Sequence, residues 1–223
     1  MSQIVKPARR LDTERLFLVP AIVLLVLLSV AELGDQWSSG AFSDSSGALT
    51  AVHRGLRLVF YVLMVSLLLV RKESRSSAPS RRATWAAYAG TFSPFLLIFN
   101  GDSAAASKAL TGFSIVVITA GLAFSIYSLG WLGRSFGVVP QARELVRSGP
   151  YRFVRHPLYV GEFVSFAGAV LAVITPFSAL VFVVFVCLQT YRATQEEKVL
   201  RAVFPEYESY MGQAGRFVPR LTR

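Results

Sequence analysis

The sequence contains little cysteine, little histidine and little charge. Cys187, His53 and His156 supply all of the thiol and imidazole groups in 223 residues. One cysteine cannot form an intramolecular disulfide, and two histidines far apart in sequence do not make a typical zinc site, so we predict no metal site. Charged residues make up 16% of the chain, against about 25% in ordinary soluble domains. That deficit argues against a soluble protein.

Several motifs of soluble enzymes are absent as well. The chain has no G-x-G-x-x-G, no P-loop, no H-E-x-x-H and no G-x-S-x-G. A soluble-type dinucleotide fold, a phosphate cradle, a zinc protease and a serine hydrolase therefore have no support in the sequence.

Apolar residues, by contrast, form 53% of the chain and give a mean hydropathy of +0.51. They concentrate in six runs: Leu16–Leu33, Leu56–Val70, Thr84–Phe99, Ala109–Leu132, Leu158–Ile174 and Phe177–Tyr191. Several runs are shorter than the roughly 20 residues of a perpendicular span. The pattern predicts an all-α, polytopic membrane protein with about six transmembrane segments in one domain over residues 1–223. Because proline disfavours helix at the residue before it, the break at Thr175-Pro176 predicts a helical hairpin of the last two segments.

The first run has an alternative interpretation as a secretion signal. Basic residues precede it, and Ser29-Val30-Ala31 has the small-residue pattern of a cleavage site. The apolar run continues to Leu33, however, so we expect it to be retained as the first membrane segment.

The net charge of +10 lies mostly in the segments between apolar runs. The N-terminal tail, residues 71–82, residues 133–157 and the tail after Tyr191 are basic, whereas residues 34–53 carry Asp35 and Asp44 and no lysine or arginine. Because basic loops stay in the cytoplasm, six spans with both termini cytoplasmic put every basic segment on one side. The charge then suits anionic membrane lipids, and no nucleic-acid partner is predicted.

Two polar clusters flank the predicted hairpin and should therefore lie at the same membrane face. The first runs from Ser148 to Tyr159 and contains Arg155-His156-Pro157. Proline is favoured at the first helical position, so Pro157 should begin a helix with His156 at its N-cap. The exposed N–H groups at such a helix end favour a bound carboxylate. The alternative is that His156 only caps the helix while Arg155 anchors lipid head groups.

The second cluster is Arg192-Ala193-Thr194-Gln195-Glu196-Glu197. On a helix Arg192 and Glu196 share a face and Glu197 points elsewhere. Either Glu196 faces inward and binds a hydroxyl pair or a cation, or the pair is an exposed salt bridge. Glu162 lies one turn inside the helix that begins at Pro157, and a carboxylate at that depth is a candidate functional group, although it is near enough to the end to reach water.

The second half of the chain contains four features in a fixed order: G-P-Y-x-x-x-R-H-P-x-Y, an apolar hairpin, R-x-x-x-E-E and the tail Phe204-Pro205-Glu206-Tyr207-Glu208-Ser209-Tyr210. This order resembles the isoprenylcysteine carboxyl methyltransferase family. Phospholipid N-methyltransferases share much of the pattern. The resemblance covers residues 130–223, the methyltransferase motif region, and implies an S-adenosylmethionine pocket at the cytoplasmic ends of the last helices. By resemblance the catalytic residue on the substrate side is Arg192. The implied cofactor-binding residues are Gln141, Arg143, Glu144, Leu145, Val146, Tyr151, His156, Pro157, Leu158, Tyr159 and Glu196.

The resemblance implies an integral-membrane, S-adenosylmethionine-dependent methyltransferase acting on a lipophilic acceptor, most similar to protein-S-isoprenylcysteine carboxyl O-methyltransferase. The alternatives are a phospholipid or small lipophilic N- or S-methyltransferase, a sterol-reductase-like NADPH enzyme, and a non-enzymatic membrane protein. A carboxylate acceptor needs no base and could be oriented by Arg192. An amine must lose a proton, which gives Glu162 a possible role.

Overall fold

The computed structural model describes residues 13–40, 45–76, 80–100 and 107–220, and these contain no β-strand beyond one isolated parallel bridge, between Val154 and Gly215. The α-helices in these ranges are α1 Thr13–Ser38, α2 Ser45–Val70, α3 Arg81–Phe92, α4 Lys108–Leu132, α5 Pro157–Ala172, α6 Pro176–Val203 and α7 Tyr207–Gln213. Short 3₁₀ helices cover Ser93–Phe99, Gly133–Ser135 and Gly149–Arg152. The basic residues before Thr13, and Asp44, lie outside the described residues.

Four of these helices are long and apolar enough to cross a membrane: Arg15–Ser38, Gly47–Val70, Ala109–Ser135 and Pro176–Val203. The all-helical, integral-membrane class predicted from the sequence is thus confirmed. The other two predicted segments correspond to α3, with 12 residues, and α5, with 16. At 1.5 Å per residue a helix of that length falls short of a hydrocarbon core of about 30 Å. The number of six spans stays a prediction.

Two segment boundaries differ from the predicted ones. The third apolar run is a helix only to Phe92 and continues as a 3₁₀ helix with Pro94 in its first turn, since proline has no N–H for the α-helical ladder. Helix α6 begins at the predicted break, where Thr175 and Ser178 form a reciprocal cap. It then runs well beyond Tyr191 to Val203, so the second polar cluster is helical throughout.

Small residues let α4 and α5 pack closely. A Cβ added at Gly121 would come within 2.4 Å of the backbone nitrogen of Ser165, and one at Gly161 would come within 2.8 Å of the carbonyl oxygen of Gly121. The hydroxyl of Ser165 also donates to the Ile118 carbonyl at 3.2 Å. This contact fixes the start of α5 close to the end of α4.

Loops at this end of the helices are hydrogen-bonded to one another. The backbone N–H of Lys72 donates to Arg134 at 2.8 Å, and that of Arg75 donates to Ala142 at 2.7 Å. Helix α7 packs beside them in a small cluster of buried side chains that includes Ala142, Phe204 and Tyr207. The loop after α2, the loop after α4 and the C-terminal helix therefore gather around the start of α5.

Candidate functional site

An open cavity lies where the loop after α4 and helix α7 meet the start of α5 and the second half of α6. Its lining includes the apolar residues Leu132, Phe136, Val139 and Leu158 and most of the polar motif residues.

Nearly all of the site residues predicted from the sequence line this cavity. They are Gln141, Arg143, Glu144, Leu145, Val146, Tyr151, His156, Leu158, Tyr159, Arg192 and Glu196. Pro157 is not among the lining residues; it is fully buried as the first residue of α5, the position predicted for it. The cofactor-binding role of each residue remains a prediction, but the fold brings them together from segments as far apart as residues 141 and 196.

His156 lies at the N-cap of α5, as predicted, although its side chain makes no capping hydrogen bond. Its ring stacks on that of Tyr159 with centroids 5.4 Å apart and planes 4° from parallel. Nε2 is 3.2 Å from Oε1 of Glu197, and Nδ1 is 3.7 Å from Oε2 of Glu196. The imidazole is thus held between two neighbouring carboxylates at the wall of the cavity.

Arg192 and Glu196 share a helix face, as the sequence predicted. Arg192 Nε donates to Glu196 Oε1 at 3.2 Å, and Nη2 donates to the carbonyl of Gly137 at 3.2 Å. The guanidinium also lies 5.0 Å from the centre of the Tyr159 ring, whose hydroxyl donates to Glu196. Arg192 is buried, so the exposed salt bridge considered as an alternative does not describe this pair.

Glu197, which was predicted to point away from the helix face shared by Arg192 and Glu196, is more buried than Glu196, with 2% exposure. It accepts hydrogen bonds from Arg155 Nε at 3.0 Å and from Arg216 Nη2 at 2.5 Å, besides its contact with His156. The C-terminal tail creates this environment by folding back: the N–H groups of Arg155 and His156 donate to carbonyls of residues 215 and 216. Helical spacing within α6 carries no signal for such a distant partner.

The side chains of Arg143 and Glu144 contact the loop after α2. Arg143 Nε donates to the carbonyl of Lys72 at 3.0 Å, and its Nη2 donates to Gln141 at 2.6 Å. The ammonium of Lys72 donates to Glu144, and this hydrogen bond lowers the pKa of the Glu144 carboxyl. Residues 143–146 all line this part of the cavity.

Two buried tyrosines in the wall have hydroxyls with no hydrogen-bond partner among the described residues, Tyr151 and Tyr207. Burial raises the pKa of both phenols above their usual range, so both hydroxyls stay protonated. Tyr210 differs, because its hydroxyl donates to the Tyr151 carbonyl at 2.6 Å. Tyr207, Tyr210 and Leu200 also line the cavity. Tyr207 and Tyr210 belong to the tail motif of residues 204–210, to which sequence reasoning assigned no site role.

Comparison with known proteins gives matches to methyltransferases. Residues 107–207, just under half of the chain, match the phospholipid methyltransferase family. The solved structure of the eukaryotic intramembrane Ras methyltransferase ICMT (isoprenylcysteine carboxyl methyltransferase) superposes with a TM-score of 0.51 at 19% identity, covering 94% of this chain and 86% of that one. At that identity the superposition shows the fold alone.

Two curated relatives are similar in sequence over part of the chain. The nickel-cobalt-cadmium resistance protein NccN of Alcaligenes xylosoxydans xylosoxydans is 36% identical over 84 residues, 37% of this chain. The cobalt-zinc-cadmium resistance protein CzcN of Cupriavidus metallidurans is 29% identical over 109 residues, 44% of this chain. The matches span 39% and 50% of those relatives' lengths.

The family match covers all of the residues that line the cavity except Tyr210, and the superposition extends over almost the whole chain. Both findings agree with the motifs G-P-Y-x-x-x-R-H-P-x-Y and R-x-x-x-E-E. Residues 107–207 are therefore similar to the phospholipid methyltransferase family, and the chain has the fold of the isoprenylcysteine carboxyl methyltransferase structure.

Proposed function

We propose that the protein is an integral-membrane methyltransferase that uses S-adenosylmethionine to methylate a lipophilic acceptor. The observation that carries the proposal is the convergence of the motif residues, from the loop after α4, the start of α5 and the end of α6, on one cavity. Lipid anchoring alone gives no reason for such convergence. The family match and the fold support the same class.

The residues present suit this cofactor. The unpartnered hydroxyls of Tyr151 and Tyr207 are buried polar groups in the cavity wall that a polar ligand would satisfy. Glu196 would accept hydrogen bonds from hydroxyl or ammonium groups, and the N-terminus of α5 favours a carboxylate. The rings of Tyr151 and Tyr159 would provide electron-rich faces for a sulfonium cation. Residues 143–146 would contribute backbone groups.

The chemistry requires little more than alignment. When bound, the cofactor supplies a methyl group on a positively charged sulfur, which leaves as a neutral thioether. The protein has to hold the acceptor in line with the methyl group and exclude water. Arg192 is suited to the acceptor side, because its guanidinium is held between Glu196, the Gly137 carbonyl and the Tyr159 ring. A rigid guanidinium can orient an anionic or carbonyl group of the acceptor.

The orientation of the protein in the membrane follows from the distribution of basic residues among its loops. With six spans, both termini and the cavity face the cytoplasm, where the cofactor is found, and α5 and α6 form a membrane hairpin below the cavity. A lipophilic acceptor then enters from the bilayer. A prenylcysteine carboxylate and a phospholipid or small lipophilic N- or S-nucleophile are the candidate acceptors.

The first experiment is titration of S-adenosylmethionine into the detergent-purified protein. Binding by the wild type is expected, and Glu196→Gln should weaken it about ten- to a hundredfold, because a hydrogen bond to a charged group contributes about 1.5–3 kcal/mol. Glu73→Gln removes an exposed carboxylate and is the matched control. Arg192→Ala should keep the affinity and reduce turnover.

Each outcome has a distinct meaning. Unchanged affinity in Glu196→Gln would remove Glu196 from the cofactor site, and loss of binding in Arg192→Ala would move Arg192 to the cofactor side. Absence of binding to folded wild-type protein would reject the methyltransferase proposal. Binding of a nicotinamide dinucleotide instead would favour the sterol-reductase alternative.

A further inference from the structure

A line of polar contacts runs down the contact between α5 and α6, away from the cavity. His156 contacts Glu197, and one turn further Tyr159 contacts Glu196. One more turn along α5, Glu162 Oε2 accepts a hydrogen bond from Gln189 Nε2 at 2.5 Å. The next layer is aromatic, where Phe166 packs against Phe182 and Phe185. Polar groups therefore extend one full turn below the cavity and then stop.

The last polar pair lies between helices that are otherwise apolar at this level. Gln189 is 1% exposed, and its Oε1 has no hydrogen-bond partner among the described residues. A Cβ at residue 90 of α3 would lie 3.0 Å from that oxygen, so α3 packs closely against Gln189 at Gly90. Burial of an unpartnered polar group is unfavourable, and ionisable groups at such depth are functional candidates by default.

The position of the pair links it to the cavity. Glu162 follows Tyr159 by three residues on α5, and Gln189 precedes Arg192 by three residues on α6. Residues three apart share a helix face. The pair therefore lies directly under two lining residues of the cavity, on the side from which a lipophilic acceptor would enter.

The pair offers hydrogen-bond acceptors. The carboxylate of Glu162 and the Oε1 of Gln189 both accept, while the one engaged donor, Nε2 of Gln189, already points to Glu162. A carboxylate acceptor would offer no donor to Oε1. An amine, thiol or hydroxyl group brings the donor that Oε1 of Gln189 lacks and a further donor for Glu162.

We propose that Glu162 and Gln189 form the subsite for the reacting group of the methyl acceptor, and that this group is a proton-bearing amine, thiol or hydroxyl. This inference rests on the proposed methyltransferase function. The acceptor's lone pair forms the bond to the methyl carbon while the carbon–sulfur bond of the donor breaks, and the acceptor's proton moves to the Glu162 carboxylate. The positive charge of the donor and the negative charge of Glu162 disappear together, so the products in the site are neutral. Gln189 holds the acceptor by its amide oxygen.

The test uses the full-length protein in lipid vesicles with four acceptors: a long-chain alkylamine, the matching thiol, the matching alcohol, and an S-farnesylated cysteine with a blocked amine, whose reacting group is a carboxylate. Wild-type protein should methylate at least one of the first three and not the fourth. Glu162→Gln should lower kcat about a hundredfold or more, since a general base contributes about 10²–10⁴-fold. Its affinity for S-adenosylmethionine should be unchanged.

Two further variants separate a role in the reaction from a role in folding. Gln189→Met keeps the side-chain length and removes the amide, and it should raise KM for the acceptor more than it lowers kcat. Glu162→Asp keeps the carboxylate and should recover part of the activity lost in Glu162→Gln. Glu73→Gln, an exposed carboxylate, should behave as wild type.

Methylation of the farnesylated cysteine alone, methylation of none of the four, or full kcat in Glu162→Gln would each overturn the subsite. Failure of the wild type to bind S-adenosylmethionine would reject the proposed function itself. A wild type that binds the cofactor while the variants show no acceptor effect would reject the subsite and leave the methyltransferase proposal standing.

Discussion

Removal of the Glu197 carboxylate should destabilise the protein more than removal of any exposed acid. Glu197 accepts hydrogen bonds from Arg155 and Arg216 and contacts His156. Arg155 is itself buried, with a side-chain exposure of 7%, so Glu197→Ala leaves a guanidinium without its anion. Breaking a buried ion pair in this way costs about 3–5 kcal/mol. Arg155 also donates to the carbonyls of Met211 and Ala214, so we expect the lower end, about 3 kcal/mol.

The free energy of unfolding would be measured by denaturant titration in detergent micelles, with cofactor affinity measured in parallel. Glu197→Gln keeps a neutral acceptor and should lose only about 1–2 kcal/mol. Glu208→Ala is the control, because Glu208 is 70% exposed and lies 3.8 Å from Arg201; it should lose less than about 1 kcal/mol. Since Arg155 and His156 line the cavity, Glu197→Ala should also weaken cofactor binding. Equal stability of Glu197→Ala and Glu208→Ala would refute the reasoning.

Three other outcomes follow from the packing and charges. Gly161→Ala should lose about 1–3 kcal/mol, since its Cβ would meet the backbone of α4, whereas Gly112→Ala, with nothing within 4 Å, should be neutral or stabilising in the same unfolding assay. Tyr207→Phe should leave the melting temperature without ligand unchanged or raised, and it should reduce the increase in melting temperature that the cofactor produces. Tyr210→Phe should instead lower the melting temperature without ligand, because a buried hydrogen bond is lost. The hydrogen bond from Lys72 lowers the pKa of the Glu144 carboxyl. The stability that this pair contributes is therefore present above the ordinary carboxyl pKa and is lost as pH falls through the lowered pKa. Glu144→Gln should therefore make the free energy of unfolding depend slightly less on pH in that range. A pH dependence equal to that of the wild type would contradict a stabilising Lys72–Glu144 pair.

Local rules were enough to predict much of the fold. Apolar runs located the membrane helices, the proline rule located the starts of α5 and α6, and helical spacing placed Arg192 and Glu196 on one face. Each of these features depends on residues within one or two turns. The 3₁₀ helix after Phe92 was missed because the apolar pattern continues through it while Pro94 interrupts the hydrogen bonding.

What the sequence did not reveal depends on contacts between distant segments. The burial of Glu197 requires Arg216 and the backbone of residues 215–216, which the chain reaches only after α7 folds back onto residues 153–156. The entry of Tyr207 into the cavity has the same origin. The close packing of α4 on α5 requires glycines that face each other across forty residues, and no periodicity within one helix shows which glycines meet.

Glu196 and Glu197 show how two adjacent, chemically identical side chains come to have different tasks. Successive residues on a helix point about 100° apart, so only one of them can face the cavity beside Tyr159. Glu197 is turned towards the tail and is fully engaged there, with three cationic or imidazole partners around it. Glu196 keeps an exposed fraction of 22% at the cavity, with Tyr159 and Arg192 orienting it. The ion-pair network on one side of α6 thus fixes the rotation of the helix and, through it, the direction of the carboxylate that faces the cavity.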